Sequence, residues 1–216
     1  MIRRHHEHSF DLDLIAPGDA VIDVGCRGFD IPRLLLNHGA RVYALDADPG
    51  VQVPADLTGR HLHFLRYAMV AAAMPKRLRL HLHPSDRQAH NVVRSFAGGS
   101  DVWVDTMTYG GVDALVGPAR VALLKLDCEG AEYGILTDLA VRVAQGDTSR
   151  LPAQISVEYH DHCGLNPQAD MEPWYRHTLG ILEREYVIAK HERERPPWGG
   201  DPHYIDDLYI LRRGPA

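Results

Sequence analysis

The sequence predicts an α/β chain, a Rossmann-like three-layer sandwich around a mostly parallel seven-stranded sheet with a C-terminal antiparallel hairpin. Three observations predict it. Residues 121–126 read VALLKL, an apolar run of the kind that a parallel sheet buries on both faces. Strand-like runs alternate with helix-like stretches along the chain, the order expected of βαβ units. Residues 20–30 read AVIDVGCRGFD, an apolar strand running into Gly25 and Gly28, where the backbone can turn tightly and approach a ligand.

Taken in order, residues 1–19 read as a short polar N-terminal segment with a turn at Ala16-Pro17-Gly18-Asp19. A strand over 20–24 leads to a helix over about 31–38, which Gly39 closes. The next strand, 41–45, ends in the acids Asp46 and Asp48. Pro49-Gly50 and Pro54 then break the chain before a helical turn at 55–59 and a strand over 61–67. KRLRLHLH at 76–83 alternates basic and apolar residues, as in a half-buried strand with a charged outer face, and suits a sheet edge. Residues 84–101 are polar and Gly-rich, so a loop. A strand at 102–108, a short helix at 112–116, the buried strand 121–126, a helix over 131–145 and a strand over 154–159 follow. An amphipathic helix over 170–185 turns Trp174 and Leu182 inward. Strands at 186–190 and 207–211 then bracket a Pro/Gly-rich excursion and form the closing hairpin.

Length and composition set limits. With 216 residues the chain is long enough for one domain with a full core, about 20–212. A net charge of −6 argues against life on a nucleic-acid backbone, which calls for a basic face. Cys26, Cys128 and Cys163 are too few and too scattered for a disulfide framework or a CxxC zinc site, and fit a reducing compartment. No signal peptide and no membrane-spanning run is evident, so the expected location is the cytoplasm. Fourteen histidines include the i, i+2 pairs His6/His8, His61/His63, His81/His83 and His160/His162. On a strand that spacing puts both rings on one face, and the first three pairs read as solvated faces.

In an open α/β sheet the ligand lies beyond the carboxyl ends of the strands. Those ends carry Asp23, Gly25, Cys26 and Gly28; Asp46 and Asp48; Asp127, Glu129 and Glu132 in KLDCEGAE; and Glu158, His160 and His162 in SVEYHDH. Acids there can serve simply as helix N-caps. An N-cap needs only one acid, however, and Lys125, Asp127, Glu129 and Glu132 lie within eight residues around a glycine.

VIDVGCRGFD, VYALDADP, VDTMTYGGVDAL, LLKLDCEGAEYGIL and ISVEYH, in that order and spacing, resemble the FkbM-type methyltransferases over roughly residues 20–160. The most specific piece is K-x-D-x-E-G-x-E at 125–132. The resemblance implies the class I methyltransferase fold and S-adenosylmethionine as cofactor, contacted at Asp23, Gly25, Cys26 and Gly28. It implies further that Asp46 takes the ribose hydroxyls, that Asp127 faces the methionine part or the acceptor, and that Glu158 and His160 stand beside it. The chain departs from the family at Arg27, which replaces a small polar residue, and at Gly28, which comes one position early. With little chain before residue 20, a lid over the acceptor is expected from segments 84–101, 160–173 and 191–206.

Methyl transfer to an alcohol needs alignment and removal of a proton. The expected reaction is O-methylation of a small-molecule, sugar or lipid hydroxyl, with His160 as general base oriented by Asp127 or Glu158. A divalent metal on Asp127, Glu158 and His160 or His162 is the variant. Arg87, Arg94 and Arg193 are candidates for an anionic acceptor. An NAD-linked oxidoreductase needs G-x-G-x-x-G, which Gly25-Cys-Arg-Gly28-Phe-Asp does not supply. A non-catalytic binding protein on a degenerate methyltransferase fold is the other reading, kept by Arg27.

Overall fold

The computed structural model describes residues 2–5, 8–85, 90, 92, 98–160, 171–194 and 204–212, with backbone alone at 171–176, 191–194 and 204–206. Its main sheet has seven strands: β3 (Ala20–Val24), β4 (Arg41–Leu45), β5 (Leu62–Leu65), β9 (Val121–Leu126), β10 (Gln154–His160), β11 (Tyr186–Glu194) and β12 (Tyr204–Leu211). They lie in the order β11-β12-β10-β9-β3-β4-β5. The pairs from β10 to β5 are all parallel, and β12 runs antiparallel to both β10 and β11. The chain leaves β3 in one direction for β4 and β5, and later crosses to β9 and β10 on its other side. The strand order therefore switches between β3 and β9, where a crevice opens at the carboxyl ends.

The residue types explain this placement. Every residue of β9 and β10 is buried, including Lys125, Glu158 and His160. Alternate residues of β3 enter different apolar clusters: Ala20, Ile22 and Val24 join one and Val21 the other. Helix α1 (Asp30–Asn37) has Pro32 in its first turn and Gly39, at φ 92°, just beyond its end, and it buries Ile31, Leu35 and Leu36. Helix α2 (Tyr109–Val116) is capped by Thr108, whose hydroxyl accepts from the Gly111 N–H at 3.1 Å. Helix α3 (Glu132–Ala144) buries Ile135, Leu136, Leu139 and Val143, an i, i+1, i+4, i+8 stripe, each worth about 1.5–3 kcal/mol of transfer free energy. Helix α4 (Met171–Leu182) ends on a buried Leu182, as expected.

Two regions differ from the sequence reading. The segments around 76–83 and 102–108 do not enter the main sheet. Strands β6 (Ala68–Met69), β7 (Arg77–Leu82) and β8 (Ser100–Met107) form a separate sheet in the order β6-β8-β7. The reason is the alternation itself: a parallel strand buried on both faces has no place for Arg77 and Arg79. Here both arginines stay exposed and pair across strands, Arg77 with Asp105 at 3.2 Å and Arg79 with Asp101 at 3.5 Å.

The N-terminal segment is the second difference. It forms a hairpin of β1 (Ile2–His5) and β2 (His8–Asp11), and His8, Ser9 and Phe10 are buried. Polar residues can be buried there because the main sheet answers them. The Gln154 side chain accepts from the Asp11 N–H at 2.7 Å and donates to the Asp11 carbonyl at 3.0 Å, while Lys190 donates to Ser9 Oγ at 2.6 Å. Among the described residues, no helix is long and apolar enough to cross a membrane.

Candidate active site

The crevice has two walls. The first is built by β3, the turn into α1, and the end of β4. The N–H groups of Gly25 and Cys26 both donate to the Leu45 carbonyl, at 2.9 and 3.3 Å, which ties the turn to β4. Gly25 sits at φ 78°, and a Cβ there would lie 1.8 Å from the Asp127 carbonyl oxygen, so no other residue fits. Phe29 takes a left-handed φ of 57° to enter α1 and is buried beside Phe64. The Cys26 side chain belongs to the apolar cluster beneath α1, and burial pushes its thiol well above the usual range. Any cofactor contact of Cys26 is therefore made by its backbone.

Of the two acids after β4, only Asp46 is left for a ligand. Asp48 Oδ2 accepts from Arg27 at 2.6 Å, its Oδ1 accepts from the Gly50 N–H at 2.7 Å, and its carbonyl accepts from Arg66 at 2.6 Å. Arg27 thus turns to the wall beside Asp46. Asp46 accepts one bond, from the Asp48 N–H at 2.9 Å, and burial lifts its carboxyl from 3.8 to about 6, against the pull of that bond and of Arg27. A desolvated carboxylate with no ion pair among the described residues suits neutral donors such as a ribose diol. Asp23 is 1% exposed, and neither of its carboxylate oxygens has a hydrogen bond, although Lys125 Nζ lies 3.3 Å from Oδ1. Such groups could hold a nucleoside that carries an amino acid, S-adenosylmethionine among them.

The second wall is built by the ends of β9 and β10. Lys125 Nζ donates to the carbonyls of Val24 and Gly25, at 3.1 and 3.0 Å, and to Asp127 Oδ2 at 3.2 Å. Burial works against its charge, but Asp127 and Asp23 outweigh burial and hold it protonated. Burial would likewise raise Asp127, yet Lys125, His8 and His160 hold it far below the carboxylate range. Glu132, fully buried, accepts from the Gly130 N–H, the His160 N–H at 2.8 Å and His160 Nδ1 at 3.0 Å. It fixes the ring of His160 so that Nε2 faces Asp127, Glu129 and Glu158, each at 3.7 Å. Burial opposes a charge on that ring, but the carboxylates, Glu132 first, raise His160 to about 10. The surroundings of His160 thus favour its charged form, and the role of general base expected of it would need that charge relieved first.

Sequence reasoning missed His8. Its Nε2 lies 3.4 Å from Asp127 Oδ2 and 3.9 Å from Glu158 Oε2, and its Nδ1 lies 3.4 Å from Ser156 Oγ. Burial, with Lys125 second, lowers its pKa, so the ring is neutral. His8 was expected on a solvated face, yet it is 2% exposed and completes the second wall. No pattern in the N-terminal segment marks it, because its partners are 119 and 148 residues away. Of the expected site residues, Asp23, Gly25, Asp46, Asp127, Glu158 and His160 all meet at the crevice, and Gly28 lies exposed on the turn. His6, Arg87, Arg94, His162 and Cys163 lie outside the described residues. So do the side chains of Trp174 and Arg193 and much of 84–101, 160–173 and 191–206.

No protein-family model and no curated protein matches the chain. Solved structures do. A Methanococcus jannaschii fibrillarin pre-rRNA processing protein is similar over 98% of this chain and 70% of its own, at 9% identity and a TM-score of 0.50. An rRNA methylase from Streptococcus thermophilus is similar over 94% of this chain and 92% of its own, also at 9% identity and a TM-score of 0.50. At that identity the likeness is one of fold: a Rossmann-like methyltransferase fold with a mostly parallel seven-stranded sheet.

Proposed function

We propose that this protein is an S-adenosylmethionine-dependent methyltransferase acting on a hydroxyl of a small-molecule, sugar or lipid acceptor. One observation carries the reading: a half-buried Asp46 with no ion pair among the described residues, the Gly25 turn and the buried Asp23 beside Lys125 stand together at the strand-order switch of a fold shared with an rRNA methylase. The motif resemblance to the FkbM-type enzymes, which runs on through K-x-D-x-E-G-x-E at 125–132, supports the same reading.

Bound at the first wall, the cofactor would supply an electrophilic methyl group on a sulfonium. The chain's own part is alignment. Asp46 would hold the ribose hydroxyls, the Gly25–Gly28 backbone would flank the methionine part, and Asp127, pinned by Lys125, would stand at the end of β9 beside the methionine part or the acceptor. The acceptor would lie between Asp127, Glu158 and His160, which orient its hydroxyl, and a carboxylate of this wall would take the proton that the hydroxyl releases on methylation. Two of the structural neighbours are an rRNA methylase and a pre-rRNA processing protein. A net charge of −6 and a second wall of carboxylates disfavour a phosphate backbone, so we propose a small acceptor over RNA.

Isothermal titration with S-adenosylmethionine and S-adenosylhomocysteine tests the reading. Saturable binding of both is expected, weakened about ten-fold or more by Asp46→Asn. Absence of binding at millimolar cofactor favours the non-catalytic alternative.

A further inference from the structure

We infer that the second wall is a divalent-cation site, with His160 Nε2 and the carboxylates of Asp127 and Glu129 as ligands and Glu158 beside them. The donor atoms of Asp127, Glu129 and His160 lie within 4.8 Å of one another. His160 Nε2 stands 3.7 Å from a carboxylate oxygen of each of Asp127, Glu129 and Glu158. Those spans are too long for hydrogen bonds. They are close to what separates two ligands that share an ion at about 2.1–2.2 Å from each.

The surroundings are those of a ligating histidine. A ligating ring is held by an acceptor on its other nitrogen, and here Nδ1 donates to Glu132, itself buried and anchored by two backbone N–H groups. Glu129 reaches the site from a left-handed backbone, φ 54°, immediately before Gly130 at φ 105°. One imidazole among carboxylates suits a cation of the Mn2+ class better than a thiolate-seeking one. The expected metal set of Asp127, Glu158 and His160 is thereby sharpened: Glu129 enters as a ligand and Glu158 moves to the flank.

The ion's use rests on the methyl-transfer reading, because a hydroxyl that joined it as a further ligand would lose its proton more readily. Its binding does not rest on that reading. The test is titration of chelator-treated full-length protein with Mn2+, followed by calorimetry and by the loss of the free-ion paramagnetic resonance signal. One saturable site is expected, weakened about 10- to 100-fold in Glu129→Gln and in His160→Gln. Glu129→Gln leaves the Glu132 anchor untouched, and thermal unfolding of each variant reports whether it is folded. No saturable site at millimolar Mn2+, or equal affinity in folded Glu129→Gln, overturns the inference. Cofactor titration without metal, run in parallel, separates the outcomes: binding of S-adenosylmethionine without Mn2+ sinks the ion site alone, and Mn2+ without S-adenosylmethionine sinks the transferase reading alone.

Discussion

The two walls of the crevice use the same residue type in opposite ways. Asp46, on the first wall, is pushed up to about 6 because burial outweighs the bond from the Asp48 N–H and the pull of Arg27. Asp127, on the second, is held far down because Lys125 and two imidazoles surround it. One wall keeps a carboxylate short of partners, and the other keeps its carboxylates charged in excess of the cations around them. The first is therefore shaped for neutral donors and the second for positive charge. A desolvated acid alone does not specify a ligand; the company it keeps does.

The largest expected effect comes from removing what holds the second wall. Lys125→Met would leave Asp23 and Asp127 facing each other without their shared ammonium, at a cost of about 3–5 kcal/mol. Urea denaturation measures it, and a loss below about 1 kcal/mol would show that the wall does not depend on this cation.

Asp46→Asn probes the first wall in both directions. Because the folded value of about 6 lies above the ordinary 3.8, this group favours the fold fully below 3.8 and loses that contribution as pH rises through 6. At pH 8 the variant should be more stable than the parent by roughly 2 kcal/mol, while cofactor affinity falls. Stability that falls in the variant would break the contrast between the walls.

His8→Ala removes a buried ring from between Asp127 and Ser156 and should cost about 1–3 kcal/mol, read by thermal unfolding, with acceptor turnover falling more than cofactor affinity. The smallest effect belongs to Arg27→Ala. Its guanidinium, 27% exposed on Asp48, should contribute about 1 kcal/mol or less, and cofactor affinity should stay within about two-fold. A ten-fold loss would place Arg27 on the cofactor.

The first wall was largely legible in the sequence because its parts are contiguous. The strand, Gly25, α1, the second strand and Asp46 follow one another within thirty residues, and period and turn residues announce each. The roles of neighbours were less legible: nothing local tells that Asp48 goes to Arg27 while Asp46 does not. On the second wall, Asp127, Glu158 and His160 could be brought together from the sequence because strand ends are marked by composition. The protonation of His160 could not be read there, since it depends on a Glu132 that reaches from α3 to the end of β10. The side sheet shows the same limit. Alternation in 76–83 correctly gave a half-buried edge strand, but the pairing of β7 with β8 is a property of the whole chain.

Gly25 gives the crevice a mechanical property. Its missing side chain leaves no clearance before the Asp127 carbonyl, and its own carbonyl is held by Lys125. The two walls thus touch through rigid backbone with nothing compressible in between. Neither wall has room to shift toward the other, so the spacing between what the two would hold is set by the fold itself.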